Sequence, residues 1–188
     1  MDLDQSDFEK IIEFLSLENF FVDKNFSPKS IGDGQSNPTF LIRDNENNFK
    51  VLRTQPIGNL ARGAHRVDRE YFVLKALSNK SFEAPEPFAL CDNSELIGRM
   101  FYVMNFEDGD INFDPFLPNE KLENKKKIYK SLAEVLGKLH SYDINELNLP
   151  FKKNHDEIYE NLVSLWKNSH NIVYNSSYLP QFQVNKTK

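Results

Sequence analysis

Three features of this sequence have residue types suited to handling a phosphate. They are the glycine-bearing stretch Ser30 to Arg43 (SIGDGQSNPTFLIR), Arg53 in FKVLRT, and Glu70 in AHRVDREYFVLKAL. Gly32 and Gly34 accept the positive φ of a tight turn and equally let a phosphate approach the backbone, so a plain turn and a phosphate cradle both fit. The loop is not a Walker A motif, because no Lys-Ser/Thr follows the second glycine. Nor is it a dinucleotide fingerprint, because it joins two strand-like runs rather than a strand and a helix. Val67, Glu70, Leu74 and Leu77 recur at i, i+3, i+7 and i+10, which sets Glu70 within or beside an apolar helix stripe. A carboxylate there requires a partner. Arg53 can supply it from a strand face shared with Phe49 and Val51. A structural Arg–Glu pair without a ligand is the competing reading.

The remaining reactive residues point elsewhere. Cys91 is the sole cysteine, so there is no disulfide framework and no cysteine zinc site, and its place at the end of the apolar run FALC reads as a buried thiol. His65, His155 and His170 have no metal-ligand spacing with Cys, Asp or Glu, and surface or capping roles are expected of them. Glu107, Asp108, Asp110 and Asp114 read as a solvated loop, with a cation or cationic substrate as the sharper alternative. The basic run ENKKKIYK leads into a helical pattern and reads as a solvated helix face.

These residues need elements to hold them. Ser6-Asp7-Phe8-Glu9 has a capping-box pattern, and Phe8, Ile11, Ile12 and Leu15 continue it as an amphipathic helix. PKSI, PTFLIR and NNFKVLRT are strand-like and separated by the glycine loop and the polar turn DNEN, which predicts a three-stranded antiparallel meander. A helix with an apolar stripe of Val67, Tyr71, Leu74 and Leu77 follows, then extended runs in PEPFALC and RMFYVMNF. Beyond a hinge at Glu107–Asp110, Ile128, Leu132, Val135, Leu136 and Leu139 predict one helix, and Ile158, Leu162, Leu165 and Trp166 another.

The whole is an α+β chain of 188 residues. Residues 1–106 are expected to form a lobe on an antiparallel sheet, and residues 107–188 the hinge and part of a helical lobe. The charged share of 27% and hydrophobic share of 39% are those of a globular protein, and the net charge of −5 argues against nucleic acid as a partner. The acidic N-terminus has no apolar signal region and no run approaches membrane-spanning length, so a cytoplasmic protein without membrane contact is expected.

A glycine loop between antiparallel strands, a basic residue on the third strand and a glutamate on the next helix is the order in which kinases arrange a phosphate site. GQSNPTFLI, VLR, AHRVDREYFVLKAL, PEPFALC and FYVMNF, in that order between Ile31 and Asp143, resemble the aminoglycoside phosphotransferase (choline-kinase-like) superfamily. The likeness is greatest to the branch found alone or fused to acyl-CoA dehydrogenases. The resemblance implies a protein-kinase-like fold and transfer of the γ-phosphoryl of ATP, with Mg²⁺, to a small-molecule hydroxyl. Carried over residue by residue, Gly34, Gln35, Ser36 and Asn37 would cover the phosphates, and Arg53 would stand where most kinases have lysine. Glu70 would pair with Arg53, and Met104, Asn105 and Phe106 would be the hinge that holds adenine.

The family's catalytic H-G-D-x-x-x-x-N loop is not found. Asp156 and Asn161 of NHDEIYEN have its separation but sit in a helical pattern, and His140 closes another helix. The catalytic and metal-binding residues are therefore expected beyond Lys188, with no catalytic or metal ligand within the chain. The alternatives are an inactive nucleotide-binding fragment or interaction module of the same fold, and a structural domain whose Arg53–Glu70 pair is merely internal.

Overall fold

The computed structural model describes residues 3–32, 37–58, 60, 63–112, 114–151, 160 and 162–168. The chain divides into two compact units, Met1–Pro150 and Phe151–Lys188. In the second unit residues 162–168 are helical, with Leu162, Leu165 and Trp166 all exposed. His155, Asp156, Ile158, Asn161 and His170 lie outside the described residues.

The first unit begins with α1 (Gln5–Leu17). Its cap is not the Ser6 of the capping-box pattern but Asp4, whose carboxylate accepts from the Ser6 and Asp7 amides at 2.6 and 3.2 Å. An ionised carboxylate satisfies the free N–H groups and complements the helix dipole, so it outcompetes a serine two positions inside. The helix ends in a Schellman motif. Asn19 takes φ 60°, its amide donates to the Ser16 carbonyl, and the Phe20 amide donates to that of Leu15 at 2.8 Å.

Strands β1 (Lys29–Ser30), β2 (Thr39–Arg43), β3 (Phe49–Thr54), β4 (Pro87–Cys91) and β5 (Phe101–Asn105) form one antiparallel sheet in the order β1-β2-β3-β5-β4. The expected meander is its first half. Asp44 organises the β2–β3 turn by accepting from the Glu46 and Asn48 amides, while Asn47 takes φ 69°. Between β3 and β4 lies α2 (Val67–Ser78).

Strand register decides what each sheet face does. Phe40, Leu52 and Val103 pair across β2, β3 and β5 and point toward α1. They join Phe8, Ile11, Leu15, Ile42 and Phe101 in a core whose members are nearly all inaccessible to water. One residue along, Thr39, Arg53 and Tyr102 pair across the same strands on the opposite face, beneath α2. Cys91 is buried in the α1-side core, where burial pushes its thiol pKa up, as expected of a structural thiol.

The last element is α3 (Leu122–His140). Its basic residues are solvated as expected, but none of its residues is buried, and Ile128, Leu132, Val135 and Leu136 are 36–51% exposed. The amphipathic pattern forms the helix without a covering partner among the described residues. No helix among the described residues is long and apolar enough to cross a membrane.

Candidate functional site

The site is the polar row of the sheet together with the elements that bend over it. Arg53 projects from β3 and donates from Nε to Glu70 Oε2 at 2.7 Å. Both side chains are about one-third exposed, so the pair borders solvent rather than filling the core. A second nitrogen of Arg53, Nη1, donates to Thr39 Oγ1 at 3.2 Å, and that hydroxyl donates to the Asn37 carbonyl. Nη2 has no hydrogen-bond partner among the described residues, which leaves one edge of the guanidinium fork free for an anionic oxygen.

Glu70 is the hub. It accepts from Arg53, from the Asn37 amide (Nδ2) at 2.8 Å, and from the Tyr102 hydroxyl at 3.2 Å. Burial, reinforced by the Glu70 charge, pushes the Tyr102 pKa well above the usual phenol value, so its hydroxyl stays protonated and donates. The acid on the α2 stripe thus has the partner it requires, and has three. Tyr71 of α2 packs edge-on against Tyr102, with ring centroids 6.1 Å apart, and keeps Glu70 over the row.

Asn37 ends the glycine-bearing loop and is buried at 8% exposure. Its carbonyl Oδ1 lies 3.1 Å from His65 Nδ1. The surface or capping role expected of His65 is therefore corrected: the ring reaches inward to the loop. Gly32 takes φ +84°, as the sequence anticipates for one of the two loop glycines. Gly34, Gln35 and Ser36 lie outside the described residues.

The expected hinge residues end β5. Met104 pairs with Val51 of β3 and Pro87 of β4, which sets its side chain on the same sheet face as Arg53. The Asn105 amide donates to the Glu86 carbonyl at 2.9 Å, and its side chain accepts from Lys50 Nζ at 2.8 Å. Phe106 packs edge-on against Phe49, and the acidic stretch from Glu107 that follows is exposed and irregular. Among the described residues no group of three or more His, Cys, Asp or Glu side chains could hold a metal ion.

Of this network, the sequence pointed to Arg53, Glu70 and Asn37 but not to Tyr102, Thr39 or the inward contact of His65. Strand alternation relative to Arg53 could have marked Thr39 and Tyr102 once the register was known. No comparable signal exists for His65, which sits in irregular chain.

The chain has relatives among known proteins. Residues 27–171 match the model of the phosphotransferase enzyme family, known as APH. Acyl-CoA dehydrogenase family member 11 of Rattus norvegicus is 43% identical over 116 residues, which are 62% of this chain and 15% of that protein. The Gallus gallus protein of the same name is 38% identical over 141 residues, 75% of this chain and 18% of its own length. The chain thus spans less than a fifth of these curated relatives. A crystal structure of a Ralstonia eutropha JMP134 protein assigned as an aminoglycoside phosphotransferase superposes with a TM-score of 0.64 at 25% identity, over 90% of this chain and 49% of that one.

Proposed function

Because the chain belongs to the phosphotransferase enzyme family, we propose that it is the nucleotide-binding part of an ATP-dependent small-molecule kinase. The observation that carries this reading is the Arg53–Glu70 ion pair, anchored from three strands and by the loop-terminal Asn37, with one edge of the guanidinium unoccupied among the described residues. Glu70 orients Arg53, and Arg53 presents a fixed positive charge to the phosphates of ATP. The face of β5 at Met104 and the chain at Asn105 and Phe106 would hold adenine. The residues present fit a nucleotide. The described residues include no metal-holding cluster, so Mg²⁺ is proposed to arrive with ATP and no ligand among them is assigned to it. Bound ATP would supply the phosphoryl group, and the acceptor would be a hydroxyl of a small metabolite. Similarity to proteins named acyl-CoA dehydrogenase family members favours a hydroxyl on an acyl-CoA-related molecule. A cytoplasmic location accompanies this reading.

Thermal-shift titration of the full chain with Mg-ATP tests it. The wild type should gain stability in proportion to the logarithm of ligand concentration, about 2.7 kcal/mol at a hundredfold excess over Kd. Arg53→Ala should abolish that gain. A wild type that is not stabilised overturns the reading. Binding without phosphoryl transfer to a panel of hydroxyacyl thioesters and aminoglycosides would leave a nucleotide-binding module.

A further inference from the structure

We propose that His65 is a positioning residue of this site, fixing Asn37 and through it Glu70, so that the Arg53 guanidinium is set for the nucleotide triphosphate. The assignment rests on the nucleotide reading above. His65 takes φ 54°, the left-handed region, which costs a residue with a Cβ about 1–2 kcal/mol relative to glycine. Two hydrogen bonds hold it there by its carbonyl, from Gln55 Nε2 at 2.9 Å and from the Val67 amide at 3.0 Å. Gln55 is buried and is itself fixed at both ends. Its backbone N–H donates to the Met100 carbonyl, and its side-chain Oε1 accepts from the Met100 backbone amide. The sheet therefore imposes the unfavourable backbone at His65, and the payload delivered there is the ring.

The ring has one protein partner among the described residues, and the pattern sets its proton. Asn37 uses its NH₂ group on Glu70 Oε1, so its Oδ1 needs a donor and the hydrogen-bond network assigns the proton to His65 Nδ1. A chain of polarised bonds results, from His65 through the Asn37 amide to Glu70, where it meets Arg53. Without the His65 donor, Asn37 is anchored at one end only, and the Glu70 carboxylate that orients Arg53 loses a fixed donor. Arg66 and Asp68, which follow His65 in sequence, pair with each other and do not compete for the ring.

Two variants separate the side chain from its strained backbone. His65→Gly relieves the left-handed conformation and deletes the donor. His65→Asn tolerates that conformation and can place an amide nitrogen near the position of Nδ1. Calorimetric titration of the full chain with Mg-ATP and, separately, with adenosine provides the readout. In His65→Gly, Mg-ATP should bind on the order of tenfold more weakly, as for loss of one hydrogen bond to a positioned group, with adenosine affinity held within about twofold. His65→Asn should recover most of the loss, and adding Asn37→Ala to His65→Gly should weaken binding little further. Unchanged ATP affinity in His65→Gly, equal weakening of ATP and adenosine, or no recovery by asparagine would each overturn the assignment. A wild type that binds neither ligand overturns the nucleotide reading first, and this one with it.

Discussion

The two faces of the sheet are built from the same strands one residue out of step, and they do opposite work. The row Phe40–Leu52–Val103 lies under α1 at 0–2% exposure and makes the core. The row Thr39–Arg53–Tyr102 lies under α2, where Arg53 and Glu70 remain about one-third exposed. The pleat thus separates cohesion from chemistry at single-residue resolution. Apolar packing on one side holds the strands in register, and register alone brings three polar side chains into line on the other.

That division predicts the largest effect on the α1 face. Leu52→Ala removes a fully buried side chain and should reduce unfolding free energy by about 2–5 kcal/mol, measured by urea denaturation. Arg53→Ala, its immediate neighbour, should cost about 1 kcal/mol or less, because its pair borders water. Equal losses at the two positions would break the comparison. Next in size is Glu70→Ala, which strands the Tyr102 hydroxyl and Asn37 amide together. It should cost about 1–3 kcal/mol and also remove the Mg-ATP thermal shift, whereas Leu52→Ala should leave that shift intact in the folded fraction. Tyr102→Phe is milder, because it removes both the donor and its desolvated oxygen. A loss of about 1 kcal/mol is expected, with the Arg53–Glu70 pair retained.

The same division explains what the sequence made legible. The helix of α1, the meander and the α2 stripe follow from periodicity, which is a local property. Arg53 and Glu70 stood out because a charge in an apolar pattern signals a partner. Tyr102 gave no such signal, since a tyrosine inside FYVMN is an ordinary strand residue until the register sets it opposite Arg53. His65 was misread because its role depends on a backbone conformation imposed by Gln55 and on a contact to Asn37, 28 residues earlier. The cap at Asp4 in place of Ser6 is a choice between neighbouring side chains of similar propensity, which geometry decides and pattern does not. In α3 the periodicity correctly forms the helix, but it carries no information on what covers Leu132 and Leu136.

A polar cluster at the edge of the α1 face gives the smallest predicted effect. At the hairpin end, Lys50 reaches Asn105 at 2.8 Å and Asp44 at 3.6 Å, with both ends of the Lys50–Asp44 ion pair only 12% exposed. Burial alone would raise the Asp44 pKa. Hydrogen bonds from the Asn48 amide and side chain and from the Glu46 amide, together with the Lys50 charge, outweigh it and hold the carboxyl below its usual value. Asp44 therefore binds a proton less readily folded than unfolded. Its contribution is complete at neutral pH, begins to fade as the pH falls toward the ordinary aspartate value near 4, and is lost as the pH drops through its lower folded pKa. Asp44→Asn should reduce stability at pH 7 by about 0.5–1 kcal/mol, since asparagine accepts fewer of these bonds. Urea midpoints measured from pH 7 to pH 3 should then converge for variant and wild type as the acid is neutralised. Parallel curves would mean that this network stabilises through its shape alone, and the α1 face would be purely a packing surface after all.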